Sequence, residues 1–194
     1  MVWEDNTPGN NEIFYSGQLS RVFLFQEDFE AITPPNLPAG WTVSSGWTSQ
    51  NTPLAQMNGN YAIVSGNTAG NEDLITPTID CSKAATVYLQ LNWNFQATTT
   101  PGETQKVTID ISHDNGNTWN PVPPPNPNPP EGPAVFELRN ELGDSSGTIR
   151  INISRYASGQ SQVKIRFRYN NTGNDGYFAI DNIKIESVNA YTAP

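Results

Sequence analysis

The stretch TVYLQLNWNF, residues 86–95, alternates without a slip: Val87, Leu89, Leu91, Trp93 and Phe95 share one phase, and Tyr88, Gln90, Asn92 and Asn94 share the other. A period of two places successive side chains on opposite faces of a β-strand, so this segment reads as a strand with one face in a core and one in water. The same pattern recurs on both sides. KVTIDIS turns Val107, Ile109 and Ile111 inward, TIRINIS turns Ile149, Ile151 and Ile153 inward, and QVKIRFRY does so with Val163, Ile165, Phe167 and Tyr169. FYSG, RVFLFQEDFE, YAIVS, DLITPTID, AVFELR and GYFAIDNIKIE add shorter or less regular segments, giving about nine or ten strands separated by Gly, Pro and Asn turns. Helical periodicity is nearly absent. The predicted fold is all-β, a two-sheet antiparallel β-sandwich of the jelly-roll kind.

A chain of 194 residues can bury one core without covalent staples. Cys81 is the single cysteine, which excludes an intrachain disulfide and a thiolate metal cluster and reads as a buried, inert thiol. The formal net charge of −9 repels nucleic acid and anionic membrane and suits cations or basic partners. No basic, apolar leader follows Met1, and no run reaches the roughly 18 apolar residues of a membrane span. A surface rich in Asn, Thr, Gly and Ser with few Lys points to an extracellular setting, with any export signal already removed or the chain cut from a longer protein.

Residues 19–188 read as a single jelly-roll domain, preceded at 1–18 by an extension that is a tail, a linker or a strand donated to a neighbouring molecule, and followed by a tail at 189–194. The stretch PVPPPNPNPPEGP, 121–133, cannot supply ladder donors and is a proline-rich loop inserted between strands.

SHDNGNTW, 112–119, has the form of an Asp-box, but it occurs once, and Asp114, Asn115, Gly116 and Asn117 account for it as a tight hairpin with Gly116 at positive φ and Trp119 capping the core. His113 is the single histidine; Ser112 and Asp114 on either side of it point to alternating faces and cannot converge as a triad. Nothing assembles a nucleophile, a base and an orienting group, so the chain is read as no enzyme. Trp41, Trp93 and Trp119 are assigned to packing. Tyr88, Asn92 and Asn94, in the wet phase, form either a ligand face of one aromatic ring and amide donors or an ordinary solvated sheet.

Acidic residues gather at two distant points. FQEDFE, 25–30, holds Glu27, Asp28 and Glu30 at the end of an apolar run, and in GYFAIDNIKIE the apolar phase flips at Asp181 and Asn182, which calls for a β-bulge. Buried acids repel one another unless a cation joins them, and calcium takes about six to eight oxygen ligands, so these carboxylates are either a calcium site or solvated strand ends.

Six motifs in order, FQEDFE, LPAGW, DLITPTID, ISHDNGNTW, ISRYASGQSQVKIRFRY and GYFAIDNIKI, resemble the choice-of-anchor J domain, which is similar to cleaved adhesin modules of bacterial surface proteases and to the MAM domain. The resemblance implies a secreted jelly roll holding Ca2+ between its first and last strands, with Glu30 and Asp181 as ligands and Asp28 and Glu27 beside them. It implies a non-catalytic recognition or adhesion module for a glycan or protein ligand at a cell surface. Two further roles remain open: a structural subunit that assembles with copies of itself by strand exchange through 1–18, and an accessory carbohydrate-binding domain of a secreted hydrolase. The proline-rich insertion and the lack of an Asp-rich loop after Trp47 depart from the usual pattern.

Overall fold

The computed structural model describes residues 21–66, 70–98, 100–122, 136–173 and 175–188, and the backbone of 2–4, 13–15, 20 and 189. Most of the proline-rich insertion therefore lies outside the described residues. The strands are β1 (Val2–Glu4), β2 (Ile13–Tyr15), β3 (Ser20–Glu27), β4 (Thr42–Val43), β5 (Trp47–Gln50), β6 (Tyr61–Ser65), β7 (Gly70–Ile75), β8 (Val87–Gln96), β9 (Gln105–Ser112), β10 (Asn120–Pro121), β11 (Glu137–Arg139), β12 (Ser145–Asn152), β13 (Lys164–Asn171) and β14 (Tyr177–Asn189). One turn of 3-10 helix at Asn140–Leu142 and one turn of α-helix, α1 (Ser154–Ala157), complete the elements.

Two antiparallel sheets face each other, as the alternation requires. The β8 sheet runs β12-β8-β14-β6-β5, with β3 also on β14; the β13 sheet runs β10-β9-β13-β7-β4, with β11 also on β9. Leu89, Leu91 and Phe95 of β8 and Ile180 and Ile185 of β14 meet Val107, Ile109, Ile111, Ile165 and Phe167 of the other sheet, each at most 1 % exposed. Cys81 is buried in the same core, and burial pushes its thiol up to about 11, which keeps it an unreactive thiol at neutral pH. β1 and β2 pair with each other, Val2 opposite Tyr15. The segment read as a candidate donated strand thus satisfies part of its ladder within the chain.

β14 is the organising strand. Its first half pairs with β6 and its second half with β3, while β8 runs along its other side. Asp181 stands opposite Asn92 and Lys184 opposite Gln90, so three steps of β14 answer two of β8. That mismatch is the predicted bulge: Asn182 takes φ 52°, and Ile180 and Ile183 both reach the core.

Two expectations change. RVFLFQEDFE does not continue as a strand to Glu30; β3 ends at Glu27, and Phe29 takes φ 57°. Glu27 Oε1 accepts the Phe29 N–H at 2.8 Å and Asp28 Oδ1 accepts the Glu30 N–H at 3.2 Å, so the acids build a turn that drives Phe29 into the core against Trp41, with ring centroids 5.8 Å apart. Trp119 is not a core cap. It is half-buried, with the Arg166 guanidinium carbon 4.4 Å from its ring centroid. Trp93 is in the core as read, edge-on to Phe136.

Residues 112–119 form the expected tight turn between β9 and β10. Asn115 and Gly116 have φ of 60° and 93°, and Asp114 Oδ1 accepts the Thr118 N–H at 2.9 Å. Hydrogen bonds from Thr118 and Ser112 hold the Asp114 carboxyl down at about 2. The side chain is a turn brace.

Candidate functional site

Two acids of the sequence reading, Glu30 and Asp181, meet at the segment 51–60, which lies across one end of the solvent face of the β8 sheet. Asn94 donates to the Ala55 carbonyl and Asn92 to the Gln56 carbonyl, each at 3.0 Å. The Asn58 N–H donates to Asp181 Oδ2 and the Asn60 N–H to Glu30 Oε1, again at 3.0 Å. Leu54 and Met57 pack below on Tyr61, Ile63 and Ala179. Four side chains from two strands and one turn therefore clamp a single loop, and two of them are carboxylates on amides two residues apart. Gly59 sits between, at φ 70°; a Cβ there would come within 1.9 Å of Glu30 Oε1. A side chain at this position would push the Glu30 carboxylate out of its cradle.

Asp181 is fully buried, and it also accepts the Asn182 N–H on Oδ1 at 2.6 Å and the Asn182 amide on Oδ2 at 2.9 Å. Burial pushes its carboxyl up to about 6, the Asn58 and Asn182 amides offset part of this, and the negative charges of Glu30 and Asp28 add to it. Of the four acids singled out, Glu30 and Asp181 converge on one loop, Asp28 acts on Asp181 through its field, and Glu27 is spent on the turn at Phe29. Among the described residues, no three Asp, Glu, His or Cys side chains form a metal centre by themselves. Backbone carbonyls and water would have to complete any calcium shell. The donor set fits such an ion in kind: hard oxygens, a buried carboxylate that has only amide partners among the described residues, and like charges beside it.

Tyr88, Asn92 and Asn94 do not form one open face. The Arg150 guanidinium lies over the Tyr88 ring, 3.5 Å from its centroid, and is tied to Glu186 by an Nη2–Oε1 contact of 2.5 Å. The amides of Asn92 and Asn94 serve the 51–60 loop, and Asn92 Oδ1 accepts the Thr148 hydroxyl. Asn94→Ala is expected to lower stability by about 0.5–1.5 kcal/mol, because it removes the hydrogen bond from the buried Asn94 amide to the Ala55 carbonyl. Denaturant unfolding of the variant measures this, and an unchanged midpoint contradicts the clamp.

The solvent face of the β13 sheet carries a second constellation. Register puts Arg166 beside Asp110 and Arg168 between Thr108 and Asp73. The Arg168 fork binds Asp73 through Nε–Oδ1 and Nη2–Oδ2, both 2.7 Å. Arg166 reaches Asp110 Oδ2 with Nε at 3.0 Å and Nη2 at 2.7 Å, its plane held against Trp119. Lys106 pairs with Glu137 at 2.6 Å. Lys106, Asp110, Arg166 and Arg168, with Asn71, Thr108 and Asn170, line a depression of about 360 Å³. The sequence held a signal for it: Lys164, Arg166 and Arg168 occupy the wet phase of QVKIRFRY. Which acids they meet depends on strand register and was not readable.

A family model described as Reelin subrepeat B matches residues 48–186. The chain belongs to the Reelin subrepeat B family. The matched span holds Asp181, Trp119 and every residue of the β13-sheet depression, and it leaves out Glu27, Asp28 and Glu30. Among curated proteins, none matches this chain in sequence. In fold, the chain is similar to the K3 cleaved adhesin domain of Lys-gingipain from Porphyromonas gingivalis, with a TM-score of 0.57 and 14% identity, covering 87% of this chain and 99% of that one. The K2 cleaved adhesin domain of Lys-gingipain gives a TM-score of 0.55 at 16% identity over 83% of this chain and 96% of that one. The C-terminal family 22 carbohydrate binding module of Clostridium thermocellum Xyn10B gives 0.51 at 9% identity over 88% and 96%. At these identities the likeness establishes the β-sandwich shared by this Reelin subrepeat B member and its neighbours.

Proposed function

We propose that this chain is a non-catalytic recognition module of a secreted or surface protein, closed by calcium at Glu30 and Asp181, that binds a glycan through the solvent face of its β13 sheet. The observation that carries the reading is the depression floored by Arg166, Arg168 and Asp110, where rigid, partly buried ion pairs present hydrogen-bonding groups on a flat sheet. Arg166 and Asp110 have side chains 13% and 12% exposed, so their geometry is set before a ligand arrives. The six ordered motifs that resemble choice-of-anchor J and MAM modules support the same adhesin-like role, and cleaved adhesin and carbohydrate-binding modules share the fold.

Calcium would be held by Glu30 and Asp181, with Asp28 near and the carbonyls of the 51–60 loop within the same clamp. When bound it would supply the positive charge that these acids lack. A glycan screen on the calcium-loaded chain tests the recognition role. Arg168→Gln should weaken binding by about tenfold or more, since hydrogen bonds to charged groups contribute about 1.5–3 kcal/mol. Trp119→Ala should also weaken it, by releasing the Arg166 plane, without a matching loss of stability. Binding to no glycan, or binding indifferent to both substitutions, removes this face from the reading.

A further inference from the structure

The charge pattern of the β13-sheet depression narrows its ligand. Each cation there has a carboxylate partner: Arg168 pairs with Asp73, Arg166 with Asp110 and, at 4.0 Å, with Asp73, and Lys106 with Glu137, which Arg139 also reaches. An anionic group would have to displace an internal carboxylate from a guanidinium at 2.7 Å, or lie against Asp110 and Asp73. A cationic group meets the same obstacle with the signs exchanged. A hydroxyl meets none, because it donates and accepts at once.

Arg168 commits Nε and Nη2 to Asp73, and Arg166 commits Nε and Nη2 to one oxygen of Asp110. A guanidinium has five N–H groups and a carboxylate about four acceptor positions, so each pair has donors and acceptors beyond those it spends internally. Arg166 and Arg168 lie two residues apart on one strand, about 6.6 Å at the usual rise, so the two pairs repeat along the sheet at the scale of neighbouring sugar rings. Resting on the glycan reading above, we infer that the ligand is a neutral polysaccharide, read through pairs of adjacent hydroxyls that each donate to a carboxylate and accept from its guanidinium, and that the balanced pairs reject acidic polysaccharides.

The test uses the calcium-loaded chain with soluble β-1,4-galactan, xylan and mannan as neutral probes and polygalacturonate and alginate as acidic ones, by calorimetry. At least one neutral polymer should bind, and the acidic ones about tenfold or more weakly, since like charges beside a rigid pair oppose entry. Raising salt from about 50 to about 500 mM should change neutral binding less than about twofold, because no charge is neutralised on binding. Asp110→Asn removes the repelling charge at nearly constant shape and should narrow the gap between acidic and neutral probes; its melting temperature reports whether it folds. Tighter, salt-sensitive binding of an acidic polymer by the wild type overturns this inference while leaving the face a glycan site. No binding of any probe overturns the glycan reading and this inference with it.

Discussion

Removing calcium with a chelator should lower the melting temperature by roughly 6–16 °C, and adding calcium back, but not magnesium, should restore it. The ion would join Glu30, at the turn after β3, to Asp181, at the bulge of β14, and hold both on the amides of Asn60 and Asn58. Without it, Asp181 is a fully buried carboxylate whose neighbouring charges, Glu30 and Asp28, have its own sign. An ion that binds the folded chain alone stabilises it by about 3–4 kcal/mol at about 100 to 1,000 times its Kd. A domain of this size shifts by roughly 2–4 °C per kcal/mol. Magnesium demands a tighter octahedral shell and gives up its water reluctantly, so a clamp built partly from loop backbone suits it poorly. Asp181→Asn should melt at the same temperature with and without chelator. Identical melting of the wild type under both conditions, with no metal found by elemental analysis, would leave the acids as turn builders and a loop clamp.

In metal-free buffer, the stability difference between wild type and Asp181→Asn should grow as pH rises from about 4 to about 7, in favour of the variant. The Asp181 carboxyl has an ordinary value of 3.8 and is pushed up to about 6 in the folded chain, first by burial. The folded state therefore holds this proton more tightly than the unfolded state. Below about pH 4 both states are protonated and the group contributes no difference. Between there and pH 6 the folded chain binds more protons, so stability falls as pH rises, reaching a cost of about 3 kcal/mol above that window. An acid stabilised by a salt bridge slopes the other way. The neutral amide of the variant has no such titration, so the difference between the two proteins isolates Asp181 from the other acids. With saturating calcium the sign reverses, because the ion competes with the proton and its contribution grows through the same interval. Denaturant unfolding at pH 4, 5, 6 and 7 measures the difference; a value constant across the series would contradict the burial of an ionisable group at the bulge.

The alternation of Val87 to Phe95 and its counterparts determined the sandwich, because a period of two with one apolar phase has no stable outcome except a sheet buried on one face. The phase flip at Asp181 and Asn182 determined the bulge for the same reason. Asp114 and Gly116 determined the 112–119 turn, since local hydrogen bonds and a positive φ act within a few residues. Strands Thr42–Val43 and Trp47–Gln50 escaped, being too short to show a period of two, and they take strand form through their partners, β7 and β6. Phe29 escaped as well, because positive φ at a non-glycine residue leaves no mark in a pattern of alternation.

The sequence by itself thus determined the fold class, the inward and outward phases of the long strands, and the presence of acids at the two ends of the domain. Tertiary structure alone decided what those side chains meet. Asp73 and Arg168 lie 95 residues apart and Asn58 and Asp181 lie 123 apart. A shift of register by one residue would exchange the faces and dissolve both the ion pairs and the clamp. Tyr88, Asn92 and Asn94 were placed on the wet phase, yet the 51–60 loop and Arg150 cover that part of the sheet, while on the other sheet Arg168 and Trp119 stay half-exposed beside a mostly covered Arg166. Phase is a local property of a strand; access to solvent depends on which distant segment comes to lie across it.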